Sequence, residues 1–126
     1  MKGISAMTQS DLSKRTPEEV FTHHVQALGA EDLDGILMDY TDASYLVSPA
    51  GALRGKNAIR GFFADLIQAV PQAKWSIRTT YVEDILFLEW TADSTKGSVS
   101  DGVDTFIFKD GMIQIQTVRA TVVPKG

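Results

Sequence analysis

Apolar residues recur at three- and four-residue spacings through most of the first seventy positions, and at every second position from Ala73 onward. The first period belongs to helices with one buried face, the second to strands with one buried face. Thr16-Pro17-Glu18-Glu19 predicts a helix start: a hydroxyl at the N-cap, proline at the first helical position, and a glutamate placed to complete a capping box. Val20, Phe21, His24, Val25 and Leu28 follow at helical spacing until Gly29 ends the run. Leu33, Ile36, Leu37 and Tyr40 predict a second, short helix. Ser44 to Ser48 reads as a short strand stopped by Pro49, and Gly51 to Gly55 as a turn with a brief second strand. Asn57 to Ala69 predicts a third helix, with Ile59, Phe62, Phe63, Leu66 and Val70 as its apolar stripe.

In the second half, Trp75, Ile77, Thr79 and Tyr81 alternate with Lys74, Ser76, Arg78 and Thr80, as in a half-buried strand. Glu83-Asp84 turns the chain into Ile85 to Asp93, whose Leu86, Leu88, Trp90 and Ala92 form an unbroken apolar face. Thr95-Lys96-Gly97-Ser98 leads into Val103 to Lys109, and Asp110-Gly111 predicts a tight hairpin into Met112 to Val123. Helices followed by a long antiparallel meander define an α+β chain, with three N-terminal helices packed on a curled, mostly antiparallel sheet that leaves a pocket between them. Met1 to Arg15 is polar and aperiodic, and is expected to form a flexible arm ahead of a single domain spanning 16–126.

Composition narrows the function classes. With 126 residues the chain can bury a core without metal or disulfide staples. A net charge of −4 and no Lys/Arg cluster argue against nucleic acid and anionic membranes as partners. The absence of cysteine removes thiolate catalysis and Cys-based zinc sites together. No apolar run has the roughly 20 residues of a membrane span, and Met1 to Met7 carries no secretory h-region, so a cytoplasmic location is expected.

Three segments add a resemblance: Leu28-Gly29-Ala30-Glu31-Asp32-Leu33-Asp34-Gly35, then Ser48-Pro49-Ala50-Gly51, then Gly55-Lys56-Asn57-Ala58-Ile59-Arg60-Gly61-Phe62-Phe63. In that order and at those separations they resemble the cone-shaped, cystatin-like α+β superfamily of nuclear transport factor 2 (NTF2-like), the ketosteroid isomerases and the SnoaL-like polyketide cyclases. The resemblance runs from about Thr16 to about Val118. It implies a deep pocket holding a small, largely apolar molecule. In the isomerases a carboxylate moves the proton, while a tyrosine and an aspartic acid kept protonated by its apolar site hold the oxyanion. Carried over, those positions fall at Ser48, His24 and Asp104.

Asp104 is retained, but a serine hydroxyl cannot take a carbon-bound proton, so steroid isomerisation by that route is not expected. The SnoaL-like cyclases, with one aspartate or histidine as acid–base and no cofactor, are the better guide. Asp104 then serves as acid or hydrogen-bond donor and His24 as base or shuttle, provided that the two converge. Ser48 can orient a ligand or simply serve the turn before Pro49. Phe63, Trp75, Trp90, Tyr40 and Val118 are expected to shape the pocket, and Gln116, sharing a strand face with Gln114, to give it a polar section. A plain hairpin at Lys96-Gly97 would set Asp104 opposite Glu89, and a bulge near Gly102 opposite Trp90; the apolar face through Trp90 favours the second. His24 and Asp104 lack a third ligand, so no metal is expected.

Ile85, Phe87, Ile107, Ile113 and Ile115 would lie on the outer sheet face, interleaved with Thr105, Thr117, Arg78 and Arg119. Such a patch marks an interface, and the resemblance implies a homodimer through it. Two functions remain open: cofactor-independent isomerisation, aldol cyclisation or dehydration next to a carbonyl, and a non-catalytic ligand-binding or scaffold role.

Overall fold

The computed structural model describes residues 9–126. In chain order the elements are α1 (Gln9–Ser13), α2 (Pro17–Gly29), α3 (Leu33–Leu37), β1 (Tyr40–Ser48), β2 (Gly51–Arg54), α4 (Lys56–Ala69), β3 (Lys74–Val82), β4 (Ile85–Asp93), β5 (Gly97–Lys109), β6 (Met112–Arg119) and β7 (Val123–Pro124). The sheet runs β2-β1-β6-β5-β4-β3, with β7 paired to β5. Only β1 and β6 run parallel among these pairs; the rest are antiparallel. Register shifts in β1–β6, β4–β5 and β5–β6 bend the sheet around the helices.

The capping box forms as the sequence predicts. The Thr16 hydroxyl accepts from the Glu19 N–H, and the Glu19 carboxylate accepts from the Thr16 N–H. The core lies between the helices and the concave sheet face, built on Val20, Phe21, Ile36, Ile59, Phe63 and Phe106. Helices and sheet together give the α+β architecture expected from the two hydrophobic periods.

Several features differ from the sequence expectation, among them Tyr40, which opens β1 and does not belong to the second helix. Residues 9–15 are not a loose arm: α1 buries Leu12, and Arg15 is built into the fold. Residues 1–8, the rest of that expected arm, lie outside the described residues. Arg15 donates to the Asp39 carboxylate at 2.8 Å and to the Gly111 carbonyl at 2.7 Å, which a polarity pattern does not reveal. The helices are therefore four among the described residues, with α1 ahead of the expected three.

The strand opposite Asp104 is set by the β4–β5 turn. Ser94 closes it with its own side chain: the hydroxyl donates to the Gly97 carbonyl and accepts from the Lys96 and Gly97 N–H groups. Pairing accordingly begins at Asp93 with Ser98, and a shift between Trp90 and Ala92 places Gly102 opposite Trp90 and Leu88 opposite Asp104. Neither Glu89 nor Trp90 is the direct partner. The slip from the Trp90 pairing is two residues, so the faces are preserved and Trp90 still points inward.

A second shift, between Ile107 and Phe108, pairs Phe108 with Ile113. It turns Ile113 into the core and Gln114 out to solvent, so Ile113 leaves the outer patch and Gln114 leaves the inner face. The outer apolar face that remains is Tyr45, Val47, Ile85, Phe87 and Val103, with Ile107 and Ile115 half-buried among them.

Candidate functional site

A hollow lies between α2, α4 and the concave sheet. Its walls are the rings of Phe21, Phe62, Phe63, Trp75, Trp90 and Phe106, with aliphatic contributions such as Leu88 and Val118. Its polar side chains are His24, Asp104 and Gln116. The volume is about 50 Å³, room for a few waters, so an organic guest must extend beyond it. An adjoining groove of about 480 Å³ shares Phe62, Leu66, Trp90 and Val118 with it, and carries Ser48, Pro49 and Asp65 on its far side.

Asp104 comes from β5 and is almost fully buried. One carboxylate oxygen accepts from Trp90 Nε1 and the other from Gln116 Nε2, each at 2.8 Å. Although Trp90 is paired with Gly102, its indole leans along the sheet to reach Asp104. Gly102 makes this possible: a Cβ there would lie 2.3 Å from the indole ring. Gln116 passes the chain of bonds on, since its Oε1 accepts from the buried Tyr40 hydroxyl. Burial pushes the Asp104 carboxyl up to about 6, against the pull of the Trp90 and Gln116 hydrogen bonds. Both neighbours donate, which suits the ionised form, and a pKa near 6 leaves most of the population ionised at pH 7. Tyr40 is held protonated well above its usual range, first by burial and then by the nearby Asp39 and Asp104 charges.

His24, on α2, is enclosed by the rings of Phe21, Tyr40, Phe63 and Phe106, with centroids 5.5–6.1 Å away. Its Nδ1 is buried without a hydrogen-bond partner. Burial, reinforced by the charge of His23, lowers its pKa to about 4, so it is a neutral imidazole at pH 7. His24 and Asp104 line the same hollow, but no hydrogen bond joins them among the described residues; each Asp104 oxygen has its donor from elsewhere. The carboxylate-oriented imidazole that convergence would have made is absent.

The remaining expected positions divide into three groups. Phe63, Trp75, Trp90, Gln116 and Val118 line the hollow. Tyr40 stands behind Gln116 rather than in the wall. Ser48 lies in the adjoining groove, where its hydroxyl accepts from the Ala50 N–H at 3.2 Å, which is turn chemistry.

Sequence reasoning missed a buried ionic cluster behind the site. Asp39 is fully buried and binds both Arg15 Nη1 at 2.8 Å and His23 Nδ1 at 2.9 Å. Its burial raises the carboxyl pKa, and the His23 and Arg15 hydrogen bonds pull it back. His23, half-buried on α2, turns its ring to Asp39. No signal in the sequence distinguishes Asp39 from a loop carboxylate, because it falls where α3 gives way to β1. The described residues hold no group of three or more His, Asp or Glu arranged for a metal ion. No described helix is long and apolar enough to cross a membrane.

Helices packed on a curved, mostly antiparallel sheet with a hollow between them are the architecture of the NTF2-like class. The SnoaL-like domain model matches residues 21–115, and the chain belongs to that family. A search of the curated proteins finds no match. Among solved structures, the chain is similar to a SnoaL-like protein of unknown function from Burkholderia thailandensis (19% identity, TM-score 0.67, covering 83% of this chain and 93% of that one). It is also similar to AclR, a candidate hydroxylase from Streptomyces galilaeus (15% identity, TM-score 0.70, 83% and 88%). A third is IdmH, a candidate polyketide cyclase from Streptomyces antibioticus (12% identity, TM-score 0.69, 84% and 92%). At these identities the likeness shows the fold alone.

Proposed function

We propose that the protein binds a small, largely apolar carbonyl compound in the ring-walled hollow and moves a proton at the carbon next to the carbonyl without a cofactor. The observation that carries this reading is Asp104: a buried carboxylate with a pKa near 6, set in an apolar wall and held by two neutral donors. A general base works best when its pKa lies near the working pH. Asp104 then takes the proton from carbon, and the electron pair moves to the carbonyl oxygen. Neutral His24 can donate a ring N–H to that oxygen, since one of its two nitrogens carries a proton in either tautomer. This reverses the roles expected from the sequence, because the retained carboxylate is ionised and the histidine is not basic enough to act first. AclR and IdmH, similar in fold, agree with small-molecule chemistry.

Deuterium exchange into cyclohexanone and related cyclic ketones, followed by proton NMR, tests the reading. The wild-type protein should exceed the buffer rate, and Asp104→Asn should lose about a hundredfold or more of the excess. The rate should rise with pH through about 6 and then level, because the base works only when ionised and its protonated form accumulates below that pH. Exchange no faster than buffer across the panel would leave the second reading, binding without turnover, which Ser48 in place of the family's base favours.

The outer face supports the further proposal of a homodimer through the sheet, since Ile85 and Phe87 are 45% and 43% exposed beside Val103. Phe87→Lys places a charge in that patch and should convert a dimer of the wild-type chain to monomer in light scattering after size exclusion. A wild-type monomer at 100 μM, on the order of ordinary assay concentrations, would contradict it.

A further inference from the structure

The buried carboxylate of the hollow has neutral partners only. Trp90 gives its one N–H and Gln116 one of its two to Asp104, and the Tyr40 hydroxyl donates to Gln116. The facing titratable groups are His24 from α2, which is neutral, and Tyr40 from β1, which stays protonated. Neither β4 nor β6 nor α4 brings a basic side chain to the wall, and no lysine or arginine lines the hollow or the adjoining groove. The groove instead adds a second carboxylate, Asp65. A single buried negative charge, without a cation against it, thus sits among aromatic faces.

That arrangement matches one ligand chemistry. Aromatic faces attract a cation, most strongly when it is desolvated, and a carboxylate with a spare lone pair makes its strongest hydrogen bonds to a charged N–H donor. We infer that the compound received in this hollow carries a protonated amine, which bonds to Asp104 while its carbon substituents pack on Phe63, Trp75 and Trp90. The inference rests on the reading that the hollow binds a small molecule and names the ligand class of its second form, binding without turnover: amine-bearing apolar compounds, since a carboxylate paired to an ammonium is not free to take a proton from carbon. A carboxylate or phosphate on the ligand would meet Asp104 and Asp65 with no compensating cation.

Binding of cyclohexylamine and cyclohexanone, matched in size, tests this by calorimetry and by the Trp90 indole N–H resonance. At pH 7.5 cyclohexylammonium should bind about tenfold or more tightly than the ketone, the factor expected from one charged hydrogen bond and a cation–π contact. Its affinity in the wild-type protein should fall as the pH drops through about 6, where Asp104 takes up a proton, while the ketone's affinity stays level. Asp104→Asn should remove the preference for the amine and keep the ketone. Ketone binding equal to or tighter than amine binding would overturn the inference and leave the binding reading standing. Failure of both probes to bind would overturn both. An amine affinity that does not change between pH 7.5 and 5 would overturn the assignment of Asp104 as its partner, even if Asp104→Asn failed to fold.

Discussion

Gly102→Ala is expected to destabilise the protein by about 3 kcal/mol and to pull Trp90 away from Asp104, the order of cost that overpacking a filled core carries. A methyl group at this position would sit 2.3 Å from two atoms of the indole ring and 2.6 Å from Nε1. The indole has little room to retreat, since its ring packs against Trp75 at 5.5 Å and its nitrogen is bound to Asp104. Relief must come from rotation of Trp90 or from parting of β4 and β5, and either breaks the hydrogen bond. Asp104 would then be a buried carboxylate with one donor fewer, so its pKa should rise above the wild-type value of about 6. Urea melts report the first effect and a carboxyl-carbon NMR titration the second. A melt within 0.5 kcal/mol of wild type, roughly the spread of neutral surface changes, would show that the indole moves freely and does not hold Asp104.

Arg15→Met is expected to cost about 3 kcal/mol, the lower end of the range for removing one partner of a buried ion pair, because His23 still binds Asp39. The methionine keeps much of the packing stem but loses four bonds: to Asp39, to the Gly111 and Leu12 carbonyls and to the Met112 sulfur. Asp39 should respond by binding a proton more readily, since burial already raises its pKa and one of its two restraining partners is gone. The folded-state pKa rises further above the unfolded value, so the variant's deficit should shrink on acidification and grow as the pH climbs. Asp39→Asn in the Arg15→Met background should add little, because the Arg15 partner is already gone and the change removes the uncompensated carboxylate. Full additivity of the two substitutions would contradict the coupling of the cluster.

Much of the scaffold was legible because its determinants are local. The Thr16 capping box, the Asp110-Gly111 hairpin and the bounds of β4 all follow from residues within a few positions of one another. Asp110 and Gly111 both adopt positive φ, as a tight hairpin of this kind demands. Misread features depend on single residues that act at a distance or through a side chain. Ser94 sets the β4–β5 register by closing its turn with a hydroxyl, and no hydrophobic pattern reports that. The shift beside Phe108 reverses the faces of Ile113 and Gln114, because one unpaired residue changes the parity of everything beyond it.

The candidate site divides on the same line. Resemblance and alternation placed His24, Asp104, Trp90 and Gln116 around one hollow, because strand parity and helix phase decide which way a side chain faces. Neither could say which atoms bond to which. Trp90 reaches Asp104 along the sheet rather than across it, and Gln116 turns its amide so as to link Tyr40 to the carboxylate. Those contacts take up both carboxylate oxygens and leave His24 apart, which is why the role proposed for Asp104 is that of a base and not of an acid. The Arg15–Asp39–His23 cluster escaped notice for a related reason: its members come from α2, the α3–β1 junction and a segment whose polarity resembled a loose arm.

The measurement that bears most directly on Asp104 as an ionised base in an apolar wall is its own titration. Carboxyl-carbon NMR of the wild-type protein, assigned by the signal missing from Asp104→Asn, should show a midpoint near 6, about two units above an ordinary aspartate. The carboxylate should be predominantly ionised at pH 7.5. A midpoint near 4 would show a carboxylate exposed to water and too weak a base for the proposed proton transfer. A midpoint above 8 would show an acid kept neutral, returning Asp104 to the donor role and contradicting its assignment as the base.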